Sequence, residues 1–148
     1  MRMKNTDMTL YPNFTRCVKN DLPKYAADTE IALAMREIGG LDNAALVRAL
    51  SWNDGPDIAV VANLGAYGEF TSGAQSNEIR ISQKLVQDYE SGMDLRNSFR
   101  KGSVHFAVVT LLHELVHWGD DKMGIDRPGE EGEEFERRIY GNVVGELG

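Results

Sequence analysis

Cysteine and histidine are scarce in this chain. Among its 148 residues there is one cysteine, Cys17, and there are three histidines. A single cysteine excludes an intramolecular disulfide and also a zinc site built from several thiolates. Any site that depends on histidine must therefore draw on His105, His113 and His117 alone.

Basic residues and long apolar runs are also few. Lys and Arg number 16 against 23 Asp and Glu, which gives a formal net charge of −7. Because so acidic a chain offers no basic patch of the size that nucleic acids require, we expect no nucleic-acid partner. No run approaches the ~18 apolar residues that span a bilayer, and the first residues lack the apolar stretch of a signal peptide. We therefore expect a protein made in the cytoplasm, without a transmembrane segment.

The composition that remains is that of one folded domain. Hydrophobic residues make up 42% and charged residues 26% of the chain, which is ordinary for a soluble globular protein. Short apolar or alternating runs at 57–62, 68–71 and 77–82 predict strands, and the Gly- and Ser-containing loops between them favour antiparallel pairing. We expect a single α+β domain over residues 1–148, with a small antiparallel sheet.

Helices are predicted before and after these strands. Capping residues and stop signals place them at 21–38, 44–52, 83–90, 104–118 and from 128 or 129 to 140. The helix at 104–118, with Ser103 as its N-cap, is apolar almost all round, which is typical of a helix buried on several sides. The last helix is expected to stop at Gly141.

The buried helix carries the one strong motif of the chain, because residues 113–117 read His-Glu-Leu-Val-His. Two histidines four residues apart lie on one helix face, about 6 Å apart along the axis, so both imidazoles can bind one Zn²⁺ ion. Glu114 then lies beside the ion, where it can take a proton from a bound water. The motif predicts His113 and His117 as metal ligands and Glu114 as the general base.

A catalytic zinc site needs a third protein ligand and an open position. His105 precedes His113 by eight residues, which is ~12 Å along a continuous helix and too far to share the metal. The last helix contains five glutamates, and its apolar or small positions recur at three- and four-residue steps that define an inward face. Glu136 lies on that face and is the preferred third ligand, with Glu133 and then Glu131 as alternatives.

Tyr140 lies one helical turn after Glu136, on roughly the same face. It would be able to hydrogen-bond a ligand or to stabilise an oxyanion formed on the substrate, which makes it a candidate catalytic residue. A packing tyrosine with its hydroxyl at the surface is the alternative interpretation. For His105 we favour a core or surface histidine that has no part in metal binding.

These residues resemble two related groups of zinc enzymes. His-Glu-Leu-Val-His-Trp-Gly-Asp at 113–120, followed by Glu-Gly-Glu-Glu-Phe-Glu at 131–136, resembles the metallopeptidase toxin domains of bacterial polymorphic toxins and type VI secretion effectors. The separation of Glu136 from His117 by eighteen intervening residues resembles the gluzincin branch of metallopeptidases. The likeness is best over 77–141, and about the first 55 residues have no counterpart in it.

The resemblance implies a compact zincin-like fold, a zinc ion and hydrolysis of a protein or peptide substrate. By matching motif positions it implies His113, His117 and Glu136 as ligands and Glu114 as the base. It also implies delivery into a target cell by a secretion system and a cognate immunity protein. The strand at 77–82 is expected to be the edge strand that holds an extended peptide. The alternatives are a housekeeping intracellular metallopeptidase and a non-catalytic zinc-dependent binding module.

Overall fold

The computed structural model describes residues 1–124 and 130–146 as one α+β domain, which confirms the predicted class. In chain order its strands and α-helices are β1 (Arg2–Met3), α1 (Asn5–Leu10), α2 (Pro12–Arg16), α3 (Thr29–Glu37), α4 (Asn43–Leu50), β2 (Asp57–Val61), β3 (Gly68–Phe70), β4 (Glu78–Ser82), α5 (Gln83–Glu90), β5 (Leu95–Ser98), β6 (Gly102–His105), α6 (Phe106–Lys122) and α7 (Glu131–Tyr140). Shorter helical turns cover Cys17–Asp21, Leu22–Ala27 and Val144–Glu146. None of the helices in the described ranges is long and apolar enough to cross a membrane.

The larger sheet is mixed, with the strand order β1-β2-β4-β3. The predicted antiparallel pairing is right for β3 with β4 but wrong for β2 with β4, which run parallel in the register Ile58 to Ile79. Both isoleucines are buried, and strands of this apolar kind are stable in the parallel interior of a sheet. Glycine- and serine-containing loops signalled turns correctly, but they do not determine which strand becomes a neighbour.

The edge strand is β3 rather than β4, which corrects the prediction for residues 77–82. The chain runs from β2 out to β3 and returns as β4, so β4 is enclosed between its two neighbours. The strand β3 is left at the edge of the sheet, beside α6. A Cβ atom at Gly68 would lie 2.6 Å from the methyl of Thr110 and 3.0 Å from Oε2 of Glu114, so glycine permits this close approach.

Two predicted helix starts differ from the observed ones. The helix α3 begins at Thr29, because Asp28 rather than Asp21 accepts the hydrogen bond of a capping residue, from the Ile31 amide at 3.1 Å. The helix α6 begins at Phe106 rather than Val104, since residues 102–105 form a hairpin strand with β5, and Ser103 lies in that strand instead of capping the helix.

The helices α6 and α7 pack against each other and bring the motif to the glutamates. The helix α6 continues to Lys122, one turn beyond its predicted end. The helix α7 ends as predicted at Gly141, which has a left-handed φ of 84°. Its predicted beginning at Pro128 or Gly129 lies outside the described residues. The inward side of α7 buries Phe135 and Ile139 in the core that α6 shares.

Candidate metal centre

The two motif histidines lie on the same face of α6, as their spacing predicts. Their ring centroids are 5.3 Å apart and the rings are inclined at 54°. Most of the helix around His113 and His117 is buried, so its backbone is held by packing on several sides. The pair therefore has a rigid support, which a metal site needs in order to fix its ligands.

Glu114 is a buried carboxylate that faces the histidine pair and strand β3. Its side chain is mostly removed from solvent, and its Oε2 lies 3.9 Å from Nε2 of His113. Burial raises the pKa of Glu114 to about 7, although the charge of His113 acts in the opposite direction. A carboxyl group with such a pKa can both accept and donate a proton near neutral pH.

His113 is oriented by Glu136, which approaches it from α7. Oε2 of Glu136 lies 2.5 Å from Nδ1 of His113, and Oε1 of Glu136 accepts hydrogen bonds from the amides of Val144, at 2.9 Å, and Gly145, at 3.4 Å. Burial alone would lower the pKa of His113, but the hydrogen bond that its ring donates to Glu136 and the charge of Glu114 raise it overall. Because Nδ1 is engaged, Nε2 is the nitrogen of His113 that faces a potential metal.

Gly132 allows α7 to approach the ring of His113 closely. A Cβ atom at this position would overlap the imidazole, with Nε2 as its nearest atom. Any other residue would therefore displace either the helix or the histidine. The missing side chain brings the neighbouring Glu131 to the histidine pair.

Glu131 pairs with the second histidine. Its Oε2 lies 3.5 Å from Nδ1 of His117, and the residue is only 6% exposed. Its other oxygen, Oε1, is buried without a hydrogen-bond partner among the described residues. Buried carboxylate oxygens are normally satisfied, so an orphaned one at a histidine pair is the feature expected where a cation binds.

The donor set suits a zinc-type cation, but the side chains are not drawn together around one point. Within residues 1–124 and 130–146 no group of three His, Cys, Asp or Glu side chains is arranged so that it could hold a metal ion as it stands. Two imidazoles and a carboxylate are nevertheless the ligands of one common class of catalytic zinc site. Within this donor set, Oε1 of Glu131 is the carboxylate oxygen that lacks a hydrogen-bond partner among the described residues.

Two cavities meet at Glu114. Both are lined by Gly68, His113 and Glu114. The first, of about 390 Å³, extends past His117 and is strongly acidic; its other charged lining residues are Glu69, Asp120, Asp121, Glu130 and Glu131. The second, of about 240 Å³, extends the other way and is mainly apolar. The general-base candidate thus lies at the junction of a polar and an apolar space.

Three other residues considered from the sequence lie away from the histidine pair or point elsewhere. Tyr140 is buried in the core and lines a different cavity with Tyr25, where burial raises the pKa of its hydroxyl. Glu133 is partly exposed and pairs with Arg137 at 3.4 Å. His105 precedes α6, and its Nδ1 lies 2.9 Å from Oδ1 of Asp94.

The sequence analysis had no means of distinguishing how the glutamates of α7 are hydrogen-bonded, and its choice of Glu136 as the third ligand stays a prediction. It selected Glu136 because of its inward position, and Glu136 is indeed buried and close to His113, but both of its oxygens are already engaged. It ranked Glu131 last, although that carboxylate has the unsatisfied oxygen. Gly132 was the available signal, because a residue without a side chain next to Glu131 marks the point of closest approach.

A helix that carries His-Glu-x-x-His, with acidic side chains facing it from a second helix, is typical of metallopeptidases. The family model of metallopeptidase toxin 3 matches residues 7–141, and the chain belongs to this family. Membership confirms the predicted resemblance to metallopeptidase toxin domains and implies a metal cofactor, whereas the narrower gluzincin assignment stays a prediction. The match includes the N-terminal region for which the sequence analysis had no counterpart. Comparison with curated proteins and with solved structures finds no significant match.

Proposed function

We propose that the protein is a zinc-dependent peptidase that uses Glu114 as general base and acts as a toxin on protein substrates. The observation that supports this most directly is a buried Glu114 beside a histidine pair, at the junction of two cavities. Membership of a metallopeptidase toxin family supports the reaction class independently.

We assign the metal ligands to His113, His117 and Glu131. This differs from the sequence prediction, in which Glu136 was the third ligand. The reason is hydrogen bonding. One oxygen of Glu136 accepts from the ring of His113 and the other accepts from the Val144 amide, whereas Oε1 of Glu131 has no hydrogen-bond partner among the described residues. A carboxylate on the far nitrogen of a metal-binding histidine orients the ring and increases its basicity, and this is the role we give Glu136.

The chemistry then divides between the cofactor and the chain. A bound zinc ion supplies a Lewis acid that polarises the peptide carbonyl and acidifies water. Glu114 accepts a proton from the attacking water and passes it to the leaving nitrogen, the role of a buried carboxylate beside the histidine pair. His113 stays fixed through Glu136 during these steps. Tyr140 has no part in this proposal because its surroundings are the core and another cavity.

Delivery into a target cell by a secretion system and neutralisation by a cognate immunity protein complete the proposal. Membership of a toxin family supports both parts of the proposal. Expression inside a bacterial host without an immunity protein is expected to arrest growth, and expression of the Glu114→Gln variant is expected to be harmless. A parent protein that hydrolyses peptides without affecting growth would instead favour a housekeeping peptidase.

The decisive experiment separates metal binding from hydrolysis. Glu114→Gln is expected to bind zinc as the parent does, by calorimetric titration of the metal-free protein, while peptide hydrolysis falls by roughly 10²- to 10⁴-fold. Glu134→Gln is the matched control, because Glu134 is an exposed glutamate on the neighbouring helix α7. Hydrolysis by Glu114→Gln at the parent rate would refute the assignment of the base, and equal losses in both variants would refute its specificity.

A further inference from the structure

The apolar cavity beside Glu114 has the location and walls of a binding site for one side chain. It has a volume of about 240 Å³ and begins at the same three residues as the acidic cavity, Gly68, His113 and Glu114. Its remaining wall residues are Ala66, Tyr67, Phe106, Thr110, Glu133, Glu136, Val143 and Gly145. Pockets for drug-sized ligands usually start at about 300 Å³, so this one suits a single side chain.

Two aromatic rings form one wall of the cavity, and the guanidinium of one arginine contacts both rings. Tyr67 and Phe106 meet edge to face with their centroids 4.8 Å apart. The guanidinium carbon of Arg96 lies 3.9 Å from the centre of the Phe106 ring and 5.0 Å from that of Tyr67. Arg96 also donates to the carbonyl oxygens of Val144 and Gly145 at 3.4 Å. Arg96 therefore connects the two aromatic rings to the segment after α7 and holds this wall in place without a ligand.

Another wall of the cavity is formed by the segment after α7. Val143 is buried and lines the cavity, but it does not belong to the main hydrophobic core. The next two residues donate their amides to Glu136, the carboxylate that contacts His113. The wall of the apolar cavity and the orientation of the histidine thus depend on the same side chain.

We propose that this cavity receives the apolar side chain of a substrate residue that adjoins the cleaved bond. The inference rests on the proposed function, since Glu114 defines where the bond is cut. Water in a space with mainly apolar walls is readily displaced by an aliphatic or aromatic group, and that burial stabilises the complex. Charged side chains would lose their hydration there and face Glu114 and Glu136, so the cavity selects against acidic residues most strongly.

The preference is measured by digesting a peptide library with the zinc-loaded parent and identifying the new termini by mass spectrometry. One position next to the cleaved bond is expected to favour Leu, Met or Phe over Gly by at least about tenfold, since even one methylene in such a pocket changes selectivity by roughly 10- to 200-fold. The other position is expected to show no comparable apolar preference. Cleavage without any apolar preference at either position would overturn the inference while leaving the peptidase assignment intact.

Two substitutions at Val143 change the size of the cavity in opposite directions. Val143→Phe is expected to move the preference from large towards small side chains, and Val143→Ala is expected to move it towards aromatic ones. Val47→Phe is the matched control, because Val47 is exposed on α4. Identical cleavage profiles for parent, Val143→Phe and Val143→Ala would overturn the inference, and folding of each variant is checked by circular dichroism.

A binding measurement separates the pocket from the reaction. The zinc-loaded Glu114→Gln variant is titrated with fluorescent peptides that carry Leu or Gly at the selected position, with and without Val143→Phe. Tighter binding of the Leu peptide that Val143→Phe abolishes supports the pocket even if the parent hydrolyses nothing, in which case the peptidase proposal alone fails. Equal binding of both peptides would overturn the pocket assignment, whatever the hydrolysis result.

Discussion

The first turn and the middle of α7 each place a buried glutamate against a histidine of α6, but the two glutamates differ in how their oxygens are used. Glu136, at 3% exposure, has hydrogen-bond partners for both oxygens. Glu131, at 6% exposure, pairs with His117 through one oxygen and leaves the other without a hydrogen bond among the described residues. The two glutamates are therefore similarly buried but differ in hydrogen bonding.

We infer from this comparison that hydrogen bonding, rather than burial or helix face, is the criterion for choosing the candidate ligand on α7. A carboxylate whose two oxygens are hydrogen-bonded already has a structural role and gains little from a metal. A carboxylate with an orphaned buried oxygen carries an energetic cost that a cation would relieve. Strain of this kind at a functional site is common, since stability is often given up where a ligand must bind.

Removal of Glu131 gives the largest expected effect. Glu131→Ala is expected to weaken zinc binding by more than about 100-fold, because it deletes a direct ligand rather than a group behind one. The metal-free variant is expected to be as stable as the parent or slightly more stable, since the orphaned oxygen is gone. Zinc affinity is measured by competition with a chelator and stability by urea unfolding, with Glu134→Ala as the control. Parent-like zinc affinity would exclude Glu131 as a ligand.

Removal of Glu136 is expected to produce a smaller loss of metal and a larger loss of stability. Glu136→Ala frees Nδ1 of His113 and the amide of Val144, so zinc affinity falls by roughly 10- to 100-fold. The buried groups left without partners are expected to lower the free energy of unfolding of the metal-free protein by about 1–3 kcal/mol. The same two titrations test this. A variant that loses all zinc while Glu131→Ala retains it would restore Glu136 as the third ligand.

Much of the site was predictable because it depends on spacing along one helix. A spacing of four positions between the two histidines places both rings on one helix face whatever the rest of the fold does, so residues 113–117 could be interpreted alone. The strands at 57–61 and 78–82 were also recognisable as short apolar runs. What the sequence analysis missed in the larger sheet is non-local: the parallel pairing of these strands and the position of β3 at the sheet edge. The hairpin of β5 with β6 was also missed, although it is local.

The preference for Glu136 over Glu131, which stays a prediction, rested on apolar periodicity. Apolar periodicity predicts which residues face inward, and it correctly places Glu136 there. It contains no information about the amides of the following segment, which engage Glu136 only after the chain turns at Gly141. It also gives little weight to the first helical turn, where acidic residues are common because they favour the helix dipole. A role in the acidic first turn of the helix, without any metal, was therefore a strong alternative explanation for Glu131.

The smallest expected effect belongs to Glu133, which the sequence ranked between Glu136 and Glu131. Its carboxylate is partly exposed and pairs with Arg137 at 3.4 Å, an ion pair whose contribution to stability is at most about 1 kcal/mol. Glu133→Ala is therefore expected to retain parent zinc affinity in the chelator competition. Because Glu133 also lines the apolar cavity, the variant is expected to alter the peptide profile slightly, towards tolerance of acidic side chains. A loss of zinc as large as that of Glu131→Ala would show that hydrogen bonding is not a valid criterion for distinguishing the ligand on this helix.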